Sequence, residues 1–243
     1  MSGTALVLVP VGSIEQHGPH LPLDTDTTIA VAVAEAVAAR TAGSWVAPPL
    51  SYGSSGEHQS FAGTTSIGTP VLQSVLIEVV RSMRTWAERV VFVNAHGGNL
   101  TALNAAVAQL REEGHDVSWL PCATEEFDLH AGHTETSLML HIAPWHVRMD
   151  AAEVGNMQSL EEILPAMIAG GVAAVSANGV LGDPTTATPR HGAWVFERIV
   201  ADLHEKLTAQ PPPSPRDASP SRASTAAPEP RTTRSRRTPA NAS

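Results

Sequence analysis

The chain has 243 residues, of which 42% are apolar, and this is enough for one α/β domain with a substantial core. The formal net charge of −9 argues against nucleic acid as the main partner, because a phosphate-binding protein needs a basic face. The one cysteine, Cys122, excludes an internal disulfide and a metal site built from thiolates alone.

Strand and helix patterns alternate along residues 1–209. Short apolar runs rich in β-branched residues alternate with longer segments that have apolar residues at helical spacing. The pattern predicts strands over 5–11, 45–52, 89–93 and 116–120, and helices over 27–42, 70–87, 100–113, 134–142 and 192–207. This alternation is typical of a three-layer α/β/α fold with a mainly parallel sheet covered on both faces. Segment 145–190 is less regular, and we predict a crossing loop there.

Residues 1–10 contain neither a basic lead nor a long apolar stretch. We therefore expect no secretory signal and no membrane span, and we expect the protein to be cytoplasmic. A membrane is accordingly not among the expected partners.

Residues 210–243 differ in composition from the rest, because they contain no Val, Ile, Leu, Met or aromatic residue. Eight of the 19 prolines fall here, and six arginines against two acidic residues give a charge of +4, which leaves −13 for residues 1–209. Such a segment cannot bury enough apolar surface to fold, so we predict a disordered Pro/Arg/Ser-rich tail. Binding of an acidic partner or RNA by its arginines is the alternative.

Polar residues gather after three of the predicted strands. Segment 12–26 follows the first strand, segment 94–99 follows the third and segment 128–137 follows the fourth. Open parallel sheets carry their sites at the carboxyl ends of the strands, so these segments are expected to meet at one rim. Each supplies carboxylate or imidazole groups, and we infer one shared site.

The types and spacing of these residues favour metal binding. Glu15 and His17 lie two residues apart, and alternate residues of an extended chain point to the same side. Asp26 begins the next predicted helix, where the dipole favours a carboxylate, and its two oxygens can bridge two ions. Nitrogen and oxygen ligands without thiolate suit zinc, manganese or iron(II), and two ions can activate a water and polarise a carbonyl together.

Each of these residues also has a simpler interpretation. Glu15 alone is typical of a surface acid, His17 of a loop residue bonded to the backbone, and Asp26 of a helix cap. The Gly97-Gly98 pair resembles a phosphate-binding loop, but the spacing of the nucleotide motifs is missing. The joint occurrence at three strand ends favours a metal site. Five further histidines are interpreted as structural or surface residues: His115, His141, His146, His191 and His204.

Four segments resemble motifs of the creatininase (creatinine amidohydrolase) family. They are 11–26 (VGSIEQHGPHLPLDTD), 56–64 (GEHQSFAGT), 94–99 (NAHGGN) and 130–137 (HAGHTETS). The resemblance spans roughly residues 5–207, and it implies a creatininase-like fold for residues 1–209.

Within the family, the chain is most similar to the branch encoded with mycofactocin biosynthesis. The compact body, segment 130–137 and segment 179–188 (GVLGDPTTAT) carry this likeness. It implies a peptidase that acts on a precursor peptide whose C-terminal Val-Tyr has been modified, and that releases the modified dipeptide.

The family resemblance also implies two divalent metal ions per chain, zinc being the first choice and iron(II) or manganese the alternatives. One ion would be bound by Glu15, Asp26 and His96. The other would be bound by His17, Asp26 and Glu135, so that Asp26 bridges the two.

The resemblance leaves the general base open. His130 aligns with a histidine that contacts substrate and carries protons. Creatininase has a glutamate two residues after the histidine of the second motif, where this chain has Gly98. This departure argues against creatinine as the substrate and leaves His130, His133 and Glu57 as catalytic candidates.

Two rival functions stay open beside the peptidase. The first is a family member that hydrolyses a small cyclic amide or a formamide. The second is a non-catalytic metal-binding protein, although a structural site does not need additional histidines around its ligands. The resemblance implies a homo-oligomer, a hexamer, which nothing in the composition indicates.

Overall fold

A computed structural model of the chain describes residues 5–123 and 128–209. In this part of the chain, four parallel strands form one sheet in the order β2–β1–β3–β4. The strands are β1 (Leu6–Val11), β2 (Ser44–Val46), β3 (Arg89–Asn94) and β4 (Val117–Pro121). The order of connection reverses between β1 and β3. Open sheets bind ligands beyond the carboxyl ends of their strands at such a switch point.

Helices cover both faces of this sheet. They are α1 (Thr25–Arg40), α2 (Thr69–Met83), α3 (Leu100–Glu112), α4 (His133–Ile142) and α6 (Pro189–Ala209), whereas α5 (Leu160–Gly170) packs on a small separate core with Val172 and Leu181. Alternate strand residues point to opposite faces, so the strands feed two separate cores. Leu8 and Val91 pack with α1, α4 and α6, whereas Val7 and Phe92 pack with α2 and α3. The predicted three-layer fold is confirmed.

All the predicted strands and helices are present, with ends that differ by a few residues, but β2 is much shorter than predicted. The sequence predicted a strand over 45–52, whereas β2 is Ser44–Val46. Pro48 and Pro49 follow directly, and proline cannot donate to a ladder of strand hydrogen bonds. The chain returns to the sheet only at the bridge between Val11 and Leu50.

Segment 145–190, where a crossing loop is predicted, also contains a helix that the sequence did not predict, α5. Pro165 lies inside the helix, where a proline costs roughly 3 kcal/mol, so the sequence pattern did not indicate a helix here. The start of α5 is fixed by a capping box. The carboxylate of Glu162 accepts the backbone N–H of Ser159 at 2.8 Å, and the hydroxyl of Ser159 forms the other half of the box.

Three parts of the chain lie outside the described residues: 1–4, 124–127 and 210–243. The disorder of residues 210–243 therefore stays a prediction. Among the described residues, no helix is long and apolar enough to cross a membrane.

Candidate metal centre

Buried acidic and histidine side chains meet beyond the carboxyl ends of β1 and β3. The loop after β1 carries Glu15 and His17, and the turn after β3 carries His96. The first turns of α1 and α4 carry Asp26 and Glu135. All five side chains are buried, and they form two overlapping groups with the spacing of metal ligands. The structure thus brings together the residues that the family resemblance implied.

The first group consists of Glu15, Asp26 and His96, whose potential ligand atoms lie within 4.8 Å of one another. The ring of His96 lies between two carboxylates. Its Nε2 is 3.1 Å from Oε2 of Glu15, and its Nδ1 is 3.3 Å from Oδ2 of Asp26. The side-chain amide of Asn94 donates to the carbonyl oxygen of His96 at 2.8 Å and so holds this turn.

The second group consists of His17, Asp26 and Glu135. Nε2 of His17 lies 3.1 Å from Oδ1 of Asp26 and 4.0 Å from Oε2 of Glu135. Asp26 therefore presents Oδ1 to this group and Oδ2 to the first, as a bridging carboxylate does. The hydroxyl of Ser13 donates to Oδ2 of Asp26 at 2.7 Å and fixes its orientation.

The ring of His17 is oriented by the backbone beside it. Its Nδ1 lies 3.2 Å from the carbonyl oxygen of Glu15, which can only accept a hydrogen bond. This contact keeps a proton on Nδ1 and directs Nε2 at the acidic residues, an arrangement common in histidines that bind metals.

Glu135 is held by an unusual backbone conformation. Ala131 has a φ of 50°, in the left-handed region, and its N–H donates to Oε2 of Glu135. Strained residues of this kind concentrate at functional sites. Burial raises the pKa of Glu135 to about 7, although the charge of His17 opposes this.

The electrostatics of Glu15 test whether a cation fits here. Both of its carboxylate oxygens are buried and make no well-aligned hydrogen bond in the described part of the chain, although the ring nitrogens of His96 and His58 lie 3.1 Å and 3.4 Å away. Buried polar atoms are nearly always satisfied, so this carboxylate calls for a cationic partner. Burial raises the pKa of Glu15, but the charges of His96 and His17 and the close approach of the His96 ring together outweigh it and lower the pKa to about 2.

The acidic residues around His17, the histidine of the second group, also attract positive charge. Burial lowers the pKa of His17, but the charge and hydrogen bond of Asp26, together with the charges of Glu135 and Glu15, outweigh it and raise the pKa to about 10. The acidic residues thus favour positive charge at the centre, and a divalent cation would take the place of the imidazole protons. Carboxylate oxygens and imidazole nitrogens without thiolate fit zinc, manganese or iron(II). The residues present fit a metal ion.

Two more histidines surround Glu15. Nε2 of His58 lies 3.4 Å and Nδ1 of His130 lies 3.8 Å from Oε1 of Glu15. Both are buried. His58 belongs to the motif at 56–64, but the sequence indicated no role for it.

Gln16 connects these two histidines and was also missed. Its side-chain nitrogen lies 2.8 Å from Nδ1 of His58 and 3.1 Å from the carbonyl oxygen of Gly179. Its side-chain oxygen accepts the N–H of Gly18 at 2.9 Å, which fixes the orientation of the amide. The signal for Gln16 in the sequence is its position between the proposed ligands Glu15 and His17. Extended geometry directs its side chain away from Glu15, so it was not expected at the site.

These contacts determine which ring nitrogens carry hydrogen. Nε2 of His130 lies 2.8 Å from the carbonyl oxygen of Gln16, so Nε2 is the donor and Nδ1 is left with its lone pair. The amide of Gln16 donates to Nδ1 of His58, so Nε2 of His58 carries the hydrogen that faces Glu15. Burial, helped by the charges of His17 and His58, lowers the pKa of His130 well below its usual range. His130 is therefore neutral and accepts a proton before it can donate one.

The structure does not bring His133, one of the three catalytic candidates, into the ligand groups. Its Nδ1 is 3.0 Å from the hydroxyl of Thr186, and its ring centroid is 4.7 Å from that of His191. Residues two apart on a helix point to different sides, so a helix that directs Glu135 at the centre directs His133 away. His133 belongs to none of the potential ligand groups.

Glu57 borders the centre from the short 3₁₀ turn Gly56–His58. Its Oε1 lies 3.4 Å from Nε2 of His96, and a third of its side chain is exposed. Burial raises its pKa despite the charge of His96. A cleft of about 820 Å³ opens here, with Glu15, His96 and His130 in its wall. A cleft of this size is typical of ligand sites, so the centre is accessible to a substrate.

Sequence comparison agrees with this architecture. The family described as creatinine amidohydrolase (creatininase) matches residues 1–207. The chain belongs to the creatininase family. A solved structure of creatinine amidohydrolase superimposes with a TM-score of 0.73 at 27% identity, covering 88% of this chain and 93% of that chain. Other solved creatininase structures include a mutant of zinc–zinc type and a manganese form.

Two similar relatives carry the name mycofactocin precursor peptide peptidase. The protein from Mycobacterium ulcerans (strain Agy99) is 54% identical over 214 residues, which is 85% of this chain and 86% of the relative. The protein from Mycolicibacterium smegmatis (strain ATCC 700084 / mc(2)155) is 55% identical over 207 residues, which is 83% and 84%. Creatinine amidohydrolase from Pseudomonas putida is 27% identical over 245 residues, covering 88% and 92%.

Proposed function

We propose that this chain is a metal-dependent peptidase that cleaves a modified mycofactocin precursor peptide and releases its C-terminal dipeptide, derived from Val-Tyr. The observation that carries the proposal is Asp26, which is shared by two buried ligand groups beside an open cleft. The relatives at 53–55% identity support the peptide as the substrate. The cleft also argues against a purely structural metal site, which would be closed.

Two divalent ions are proposed to bind at the centre, zinc being the first choice. Glu15, Asp26 and His96 would hold one, and His17, Asp26 and Glu135 the other. Such ions supply Lewis-acid chemistry, in that they activate a water molecule and polarise a carbonyl oxygen. Cys122 does not contribute, because it is buried in the apolar core between the sheet and α1, α4 and α6.

Proton transfer is assigned to His130. Its neutral ring presents Nδ1 towards Glu15 and donates from Nε2 to the backbone of Gln16. Nδ1 can therefore accept a proton from the attacking water and deliver it to the amine that leaves. Glu57 is the alternative acceptor, because its carboxylate also borders the cleft and its pKa is raised by burial.

The quaternary structure and the domain boundary are also proposals. Large apolar side chains are exposed at Trp45, Trp86 and Trp145, which supports contacts between copies of the chain in a homo-oligomer, with a hexamer as the family expectation.

We propose that the catalytic domain ends at residue 209. Deletion of 210–243 is then expected to leave turnover intact. The charge of −13 over residues 1–209 supports the absence of nucleic acid among the partners.

Mass spectrometry tests the substrate directly. The purified, metal-loaded protein is incubated with the modified precursor peptide, and a shortened peptide plus a two-residue fragment is expected. Chelation should abolish the reaction, and added zinc should restore it. If the peptide survives intact while creatinine or a small formamide is hydrolysed, the peptidase assignment fails in favour of a small-amide hydrolase. Hydrolysis of none of these substrates would favour the non-catalytic alternative.

A further inference from the structure

Helix α5 carries an exposed apolar stripe. Leu160, Leu164 and Ile168 are 44%, 39% and 78% exposed, and they follow one another at intervals of four residues. Residues at this spacing lie on one side of a helix, so the three side chains form a continuous stripe. Single exposed apolar residues are common, but an aligned set indicates a binding surface.

Folding does not account for this stripe. The side of α5 that packs against the body carries Ile163 and Met167, which contact the small core of Val172 and Leu181. The stripe residues lie outside that core, and polar residues in their place would cost the fold little.

The stripe faces the centre across the cleft. Leu160, Leu164 and Ile168 line it together with Leu129, the residue next to His130. All ionisable groups among the described lining residues belong to the metal end of the cleft: Glu15, Glu57, His58, His96 and His130. The wall formed by α5 is therefore uncharged. No Lys or Arg in the described part of the chain lines the cleft.

The stripe is also physically tied to the centre. Gly171 ends α5, and a Cβ there would lie 2.5 Å from the carbonyl oxygen of Glu57. The absence of a side chain lets the end of α5 pack directly on the turn that carries Glu57. The end of α5 is thus in direct contact with the turn beside His96, whose Nε2 lies 3.4 Å from Oε1 of Glu57.

We propose that Leu160, Leu164 and Ile168 form a subsite for a bulky apolar side chain of the peptide, within two residues of the cleaved bond. This inference rests on the proposed function, because the stripe and the centre are two walls of one cleft. Burial of an aromatic or branched side chain against such a wall contributes roughly 25 cal/mol per Å² of apolar surface. A peptide with that side chain is therefore expected to bind about tenfold or more tightly than one with glycine.

Two measurements on the metal-loaded protein test the subsite. The first compares kcat/KM for precursor peptides that carry Phe, Gly or Asp beside the cleaved bond. The second measures binding of N-acetylphenylalaninamide and N-acetylglycinamide by NMR titration, which needs no turnover. The wild type should prefer the phenylalanine ligand in both. The double variant Leu164→Asn/Ile168→Ser should lose this preference mainly through KM, while its metal content stays unchanged.

The matched control is Ala166→Ser, a polar change at an exposed position of α5 outside the cleft, which should keep the wild-type preference. An unchanged Phe-to-Gly ratio in the double variant would overturn the subsite. The subsite would also be overturned if the double variant kept the preference for phenylalanine but changed its oligomeric state by light scattering, because the stripe would then join copies of the chain. A wild type that leaves the precursor uncut but still prefers the phenylalanine ligand would overturn the peptidase proposal and not the subsite.

Discussion

The carboxylate of Glu57 occupies the space beside Gly98 into which a side chain at position 98 would project. A Cβ on residue 98 would lie 2.5 Å from Oε1 of Glu57, and it would also collide with the carbonyl oxygen of Ser54 and with Nε2 of His96. Creatininase, as the resemblance implies, has a glutamate at the position of Gly98. In this chain the nearby carboxylate comes instead from another loop, so the departure at position 98 still leaves a carboxylate at this edge of the cleft.

Substitution of Gly98 tests this arrangement. Gly98→Ala should displace Glu57 and His96 and lower kcat about 100-fold, because errors of about 1 Å in a catalytic site cost that much. Gly97→Ala is the matched control, since a Cβ there meets nothing within 4 Å. Steady-state kinetics and elemental analysis compare the two. Equal activity of both variants would mean that the position of Glu57 is not important for turnover.

Asp26 should be indispensable for both metal ions, because each of its oxygens faces a different ligand group. The wild type should contain about two equivalents of metal, and Asp26→Ala close to none. Asp24→Ala is the control. Asp24 precedes α1 but its side chain makes no capping hydrogen bond, so its loss should cost less than about 0.5 kcal/mol of stability. Retention of both ions by Asp26→Ala would rule out the shared site.

His130 and His133 should respond differently to removal. His130→Ala should lower kcat by about 10²- to 10⁴-fold with both metals retained, which is the range for loss of a general acid or base. His133→Ala should keep nearly wild-type activity, because His133 contacts Thr186 and His191 outside the ligand groups. Single-turnover assays and metal analysis distinguish the outcomes. Loss of an ion from His130→Ala would instead make His130 a ligand.

The sequence predicted the parts of the site that depend on strand ends. Glu15 and His96 follow β1 and β3, and the carboxyl ends of neighbouring parallel strands always lie together. It could not give the direction of a side chain that depends on the rotation of a helix, as for His133. It also failed where tertiary packing overrides a local signal, as for Pro165 in α5. No local pattern indicates that Gln16 reaches two histidines far along the chain.

Gln16 should act as a positioning residue for the proton-transferring histidine. Its amide donates to Nδ1 of His58, and the ring centroid of His58 lies 4.3 Å from that of His130, so the side chain fixes His58 directly and His130 only through it. Gln16→Leu removes the amide without adding charge. Loss of such an orienting contact typically lowers activity about 10- to 100-fold. The fall should appear in kcat with KM nearly constant, because the rings and not the apolar wall of the cleft are disturbed.

The control for Gln16 is Gln59→Leu, at an exposed position whose amide, among the described residues, reaches the carbonyl oxygen of Thr64 at 3.4 Å. Elemental analysis should find about two equivalents of metal in both variants, since neither residue is in the proposed ligand set. Gln16→Glu adds a second test. A carboxylate has the same length but cannot donate to Nδ1 of His58, so it should not restore kcat. Full activity of Gln16→Glu would mean that the amide hydrogens do not fix the histidine rings.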